Sequence, residues 1–195
     1  MKNIIKNTLI LTAITLVAGV LLGLVYEITK EPIAQAKEQA KNEAYQAVMV
    51  EADTFEVLDV NTVDLGITGC VVDEVVTAKA GDEVKGFVIT VTTSEGYGGN
   101  IQVSIGIASD GTVKGIEMLS ISETAGLGMN ADTPEFKAQY ADKLTDAFVV
   151  TKTGAAADNE IDAISGATIT SNAVSNAVNT AIAYFSNVLG GSVNE

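Results

Sequence analysis

Residues 162–171 read Asp-Ala-Ile-Ser-Gly-Ala-Thr-Ile-Thr-Ser, a small-residue run that carries four hydroxyls, those of Ser165, Thr168, Thr170 and Ser171. A turn of this kind delivers donors to a helix N-terminus, where free amides and the positive end of the helix dipole favour a phosphate. Ser and Thr are also the favoured helix caps, so the same residues have a second reading as a capping loop that holds no ligand.

Composition narrows the chemistry. The chain has 195 residues, a formal net charge of −14, no His, no Arg and one Cys. Without His, neither Ser-His-Asp nor Cys-His catalysis is possible, and His-ligated haem and the usual Cys/His zinc sites are excluded. A single Cys cannot form a disulfide within the chain, and Cys70, in the apolar run ITGCVVDEVV, reads as a small packed side chain. An acidic surface without Arg argues against nucleic acid as a partner. No catalytic acid–base group and no metal site is expected.

The elements that would position residues 162–171 fall into two parts. Residues 7–26 are twenty residues without a charge, preceded by Lys2 and Lys6, and all 25 acidic residues follow them. At about 1.5 Å per residue this crosses a hydrocarbon core of roughly 30 Å. The positive-inside rule then keeps residues 1–6 in the cytoplasm and exports the remainder, giving a single-pass protein of the cell membrane. The alternative is a cleaved signal peptide, but the apolar run exceeds the roughly 7–15 residues of a signal core. Thr15, Gly19 and Gly23 share one helix face, a spacing that allows close approach of another membrane helix. Residues 27–50 are rich in Ala, Glu, Lys and Gln and predict a helical stalk, with a break or restart at Pro32.

From residue 51 to 191 the pattern is that of an exported α+β domain, followed by a short tail, 192–195. Period-2 apolar runs predict strands over Val71–Thr77, Gly86–Thr93, Ile101–Ile107 and Val113–Ser120, joined as an antiparallel meander by turns at Gly81–Glu83 and Ser109–Thr112. Thr133-Pro134-Glu135 predicts a capped helix start, and Ala147–Thr151 a short strand. A last helix, starting near Thr170 or Ser171, carries an apolar stripe of Val174, Val178, Ala181, Phe185 and Val188 and ends at Gly190-Gly191.

The run DxxSGATxTS over residues 162–171 resembles the flavinylation motif of a family of FMN-binding components of membrane complexes. Its members include the RnfG component of the Rnf electron-transport complex and the FMN-binding component of the sodium-translocating NADH:quinone reductase. Gly96-Tyr97-Gly98-Gly99-Asn100-Ile101 resembles the family's GYGGxI segment, and Glu123-Thr124-Ala125-Gly126-Leu127-Gly128 its ETPGLG segment near the flavin. The chain departs from the family at Ala125, where Pro is usual, and at Ile121, where a His often stands. The resemblance implies FMN joined covalently through its phosphate to Thr168. It further implies cofactor contacts from Ser165, Gly166, Ala167, Thr170, Glu123, Thr124, Gly126, Leu127, Gly128, Tyr97 and Gly98, with Asp162 as a recognition element for a flavin transferase. The absence of Arg agrees with covalent retention, since noncovalent phosphate sites often use Arg.

The function implied is electron transfer within an ion-translocating ferredoxin:NAD oxidoreductase (Rnf) complex, with no independent catalysis by this chain. The implied partners are the other subunits of the Rnf complex, especially the membrane flavin subunit, and the transferase. Three other readings stay open at this point: the quinone-reductase component, a secreted flavin reductase, and a non-enzymatic anchored envelope domain.

Overall fold

The computed structural model of the chain describes residues 1–60 and 67–190, with the side chain of Lys2 left aside. Gly191, expected at the end of the last helix, and the tail 192–195 lie outside the described residues. The chain divides into two units, Met1–Lys41 and Asn42–Glu195.

The first unit consists of most of helix α1 (Lys2–Val48). Every large apolar side chain from Ile4 to Ile33 is exposed among the described residues. The hydroxyls of Thr8 and Thr15 donate to the carbonyls of Ile4 and Thr12 at 3.0 Å each, which satisfies them without water, as a hydrocarbon setting demands. The helix is long and apolar enough to cross a membrane. It does not break at Pro32, contrary to the sequence expectation, but runs through it. Proline forfeits one ladder bond, to the carbonyl of Ile28 four residues back. Ile28 is exposed, and a lost bond on an exposed turn is not a buried, unpaired group.

The second unit is built on a five-stranded antiparallel sheet in the order β1-β2-β3-β4-β5, with β1 Thr54–Leu58, β2 Cys70–Ala80, β3 Glu83–Thr93, β4 Ile101–Ala108 and β5 Val113–Ser120. The four predicted strands are present as a meander, and β1 is an addition to them. Alternation places Phe87, Ile89, Val91, Ile101, Val103, Ile105 and Ile107 in one core with Val174, Val178, Ala181 and Phe185 of helix α3 (Thr168–Tyr184) and the π-helical turn Phe185–Leu189 that extends it. The opposite face is covered too. Val76, Ala78 and Val88 pack with Tyr45, Val48, Met49 and Ala52 at the end of α1 and beyond. Gly106 explains how that segment comes so close, since a Cβ there would lie 2.5 Å from the carbonyl of Val48. Cys70 is half-buried against the first core.

Between β5 and α3 the chain forms short elements. Helix α2 is only Pro134–Lys137 and passes into a 3-10 turn, Ala138–Tyr140. The expected cap differs in detail: the Thr133 hydroxyl donates back to the carbonyl of Asn130 at 2.8 Å instead of capping α2. Phe136, Tyr140 and Phe148 form an edge-to-face ladder with centroids 5.7 and 5.1 Å apart. Strand β6 (Val149–Thr151) pairs in parallel with β7 (Glu160–Asp162). Asn179 of α3 clamps the approach to β6, accepting from the Phe148 amide at 2.7 Å and donating to its carbonyl at 3.0 Å. These contacts place the end of β7, and the segment after it, at the start of α3.

Candidate functional site

The segment after β7 is fixed atom by atom. The Asp162 amide donates to Gln139 Oε1 at 2.7 Å, the Ala163 amide to the Thr151 carbonyl at 2.8 Å, and the Ala167 amide to the Ile164 carbonyl at 2.9 Å. Gly166, at φ +76°, takes the left-handed turn that lets residues 164–167 close. Helix α3 begins at Thr168, two or three residues earlier than expected, because its N-cap is Ala167, which has no side-chain acceptor. The first amide bonded back to the turn is that of Ser171, to the Ala167 carbonyl. The amides of Thr168, Ile169 and Thr170 therefore have no partner among the described residues. A 17-residue helix thus presents three free donors at its positive end.

These donors open on a cleft of about 620 Å³, within the roughly 300–1,000 Å³ of small-molecule sites. Three stretches line it: Tyr97 from the loop after β3; Glu123, Thr124, Leu127 and Gly128 from the loop after β5; and Gly166, Ala167, Thr168, Ile169 and Thr170. The walls interlock. Gly98 donates its amide to Glu123 Oε1 at 3.1 Å. A Cβ on Gly128 would lie 2.7 Å from Thr170 Oγ1, and one on Gly166 would lie 3.1 Å from Leu127 Cδ2. Thr168 is half-buried, and its hydroxyl has no hydrogen-bond partner among the described residues.

Nine of the expected site residues thus line one cleft. Gly98 supports it through Glu123, Gly126 (φ +76°) and Ser165 stand exposed beside it, and Asp162 lies outside it. The Asp162 carboxylate accepts from the Ala155 amide at 2.6 Å. Its neighbour Glu160 accepts from the amides of Ala156 and Ala157 at 2.7 and 3.2 Å, and those two bonds hold its carboxyl below the ordinary value. Ser171, expected to add a donor for phosphate, is buried with its hydroxyl committed to the preceding turn. Ile121, where the family often has His, is half-buried against the core. Ile169 was missed: it reads as a spacer within the motif, yet it lines the cleft at 54 % exposure.

Among the lining residues one is charged, the acid Glu123, and none is a cation. The apolar surfaces are Tyr97, Leu127 and Ile169. A second hollow, of about 730 Å³ between β1–β3 and the end of α3, contains none of the motif residues.

Residues 96–183, which contain every lining residue, match the family of FMN-binding domains, and residues 1–48 match the RnfG N-terminal region. The chain is 31 % identical over 97 % of its length, and 96 % of the relative's, to the G component of the proton-translocating ferredoxin:NAD(+) oxidoreductase complex of Clostridium ljungdahlii. It is 33 % identical to the G component of the Na(+)-translocating complex of Acetobacterium woodii, covering 96 % and 94 % of the two chains. With the G component of an ion-translocating oxidoreductase complex of Methanosarcina acetivorans the identity is 34 % over 95 % and 96 %. The crystal structure of NqrC from Shewanella oneidensis shares the fold, with TM-score 0.53 at 17 % identity over 75 % of this chain and 73 % of that one. The protein belongs to the RnfG family of ion-translocating oxidoreductase (Rnf) complex components.

Proposed function

We propose that this chain is a membrane-anchored electron-transfer subunit of an ion-translocating ferredoxin:NAD oxidoreductase complex, carrying FMN as a phosphodiester on Thr168. The observation that carries the reading is the start of α3: a Thr168 hydroxyl and three amides that have no partner among the described residues, in a cleft whose described lining holds no cation. Those amides suit a phosphodiester, which keeps one negative charge. A doubly charged free phosphate would face Glu123 with no Lys or Arg in the lining, so retention through a covalent bond fits the residues present. When bound, the flavin supplies the electron-transfer chemistry.

The chain's own contribution is positional. Thr168 and the helix amides hold the phosphate end. Leu127, Ile169 and Tyr97 offer apolar surface to the ring system. The carboxylate of Glu123, anchored by the Gly98 amide, disfavours added negative charge in the cleft.

We assign residues 1–6 to the cytoplasm, 7–26 to the membrane, 27–50 to the stalk, 51–191 to the domain outside and 192–195 to the tail. The other complex subunits, in particular the membrane flavin subunit, are the partners, and a flavin transferase is needed for maturation. The exposed apolar surface of α1 supports the anchor. N-terminal sequencing of the mature protein beginning near Lys37 would contradict it. Attachment is tested by in-gel fluorescence of the denatured protein after coexpression with an exported transferase. Wild type and Thr168→Ser should fluoresce and Thr168→Val should not. A fluorescent Thr168→Val refutes the assignment.

A further inference from the structure

We infer that Ser171 is a positioning residue for flavin attachment: its buried hydroxyl staples the turn that ends at Thr168 and fixes where the acceptor oxygen stands. This rests on the reading of Thr168 as the attachment residue. Ser171 is fully buried, and its Oγ accepts from the Ile164 amide at 3.0 Å and donates to the Ala167 carbonyl at 3.1 Å. One hydroxyl therefore ties both ends of the four-residue turn, and Thr168 is the next residue. The other hydroxyls of the motif are placed differently. Ser165 is exposed, and Thr168 and Thr170 line the cleft. An N-cap normally supplies its own oxygen to the first turn. Ala167 cannot, so the first-turn amides stay open to the cleft, and the Ser171 oxygen, one turn inside the helix, braces the preceding turn instead of capping them.

The chemistry makes that placement matter. The transferase must bring a flavin phosphoanhydride to Thr168 so that an Oγ1–P bond forms as the anhydride P–O bond breaks. The leaving phosphate departs in line, and the hydroxyl proton goes to base or water. An in-line displacement is sensitive to misplacement, and an error of about 1 Å can cost on the order of 100-fold in rate. The turn 164–167 holds its shape through the Ser171 staple, the Ala167-to-Ile164 bond and the left-handed Gly166. Removing the staple leaves the Ile164 amide without its partner and lets Thr168 wander.

A control with a comparably buried hydroxyl exists on the same helix. Ser175 is also buried and exchanges a hydrogen bond with Tyr140 Oη at 2.8 Å, without touching the turn. The experiment compares wild type, Ser171→Ala and Ser175→Ala as full chains, first unmodified by amide hydrogen exchange, then with transferase and flavin dinucleotide by intact mass over time. In wild type the Ile164 amide should exchange more slowly than those of Thr168 and Ile169. Ser171→Ala should speed exchange at Ile164 and slow incorporation about 10- to 100-fold, whereas Ser175→Ala should incorporate within about twofold of wild type despite its own lost bond. An unprotected Ile164 amide in wild type, incorporation by Ser171→Ala at the wild-type rate, or equal slowing by Ser175→Ala overturns the proposal. Absence of flavin on wild type would instead sink the reading of Thr168, and the exchange results on the unmodified chain keep the two failures apart.

Discussion

Replacing Gly128 by Ala tests how tightly the cleft is assembled. A Cβ at Gly128 would lie 2.7 Å from each of Glu123 Cβ, Glu123 Oε2 and Thr170 Oγ1. Glu123 Cβ is bonded to the backbone, so rotating a side chain does not relieve the clash and the loop after β5 must move. Overpacking of this kind costs about 1–3 kcal/mol. For a domain of this size each kcal/mol lowers Tm by roughly 2–4 °C, so Gly128→Ala should melt about 2–12 °C below wild type. Gly126, two residues earlier, is the contrast. It sits at φ +76° with nothing within 4 Å of a built Cβ, so Ala there meets only backbone strain of about 1–2 kcal/mol, partly offset by a stiffer unfolded chain. Thermal unfolding of the detergent-solubilised chain, followed by near-UV circular dichroism, gives both values. Covalent flavin incorporation should fall in Gly128→Ala and stay near wild type in Gly126→Ala. If Gly128→Ala melts and incorporates like wild type, the loop after β5 and the start of α3 do not pack as described.

Glu123→Gln keeps an acceptor for the Gly98 amide and removes the charge, so the flavin potential should rise by on the order of tens of millivolts, given about 59 mV per tenfold for a one-electron couple; spectroelectrochemistry showing no rise would place the carboxylate outside the flavin's field. Asp162→Ala frees the Ala155 amide and should slow flavin incorporation without removing the acceptor, and an unchanged time course in the intact-mass assay would separate Asp162 from the attachment reaction. Alkali should destabilise the domain. Burial pushes the Tyr140 phenol well up, so the fold favours its protonated form and loses stability as pH rises above the ordinary value of 10.0. Burial alone would lower the Lys137 ammonium, but its bonds to Glu117 and Asp132 outweigh this and raise it; that contribution is full below 10.5 and is lost above it. Tyr140→Phe should flatten the alkaline fall in Tm, and an identical pH profile would contradict the assignment to Tyr140.

The four central strands were legible because both alternation and turn chemistry marked them: Ile101, Val103, Ile105 and Ile107 all face one core. Strand β1 was not, because its five residues are mostly exposed and carry no clean alternation. Strand β7 has three residues, of which only Ile161 is buried, and a parallel pair that short leaves no period to read. The start of α3 differs from the expectation because Ser and Thr are better caps than Ala, whereas here Ala167 stands at the N-cap with no side-chain oxygen and the first-turn amides are left to the cleft. The motif residues could be named from the chain, but their meeting could not. Tyr97, Leu127 and Thr168 lie on three segments far apart in sequence, and only the sheet and the Asn179 clamp bring them to one cleft. Ile169 carried one weak signal, an apolar residue off the stripe formed by Val174 and Val178.

The central claim is that flavin phosphate is esterified to one oxygen, Thr168 Oγ1. Residues 153–195 contain no Lys or Arg, so trypsin cleavage after Lys152 leaves the whole motif on one peptide that begins at Thr153. Electron-transfer fragmentation of that peptide, from protein matured with an active transferase, locates the modification. The expected result is a mass increase of FMN less water on every fragment that contains Thr168 and on none that stops at Ala167 or begins at Ile169. An increase assigned to Ser165, Thr170 or Ser171, or a peptide of unmodified mass from fully matured protein, contradicts it.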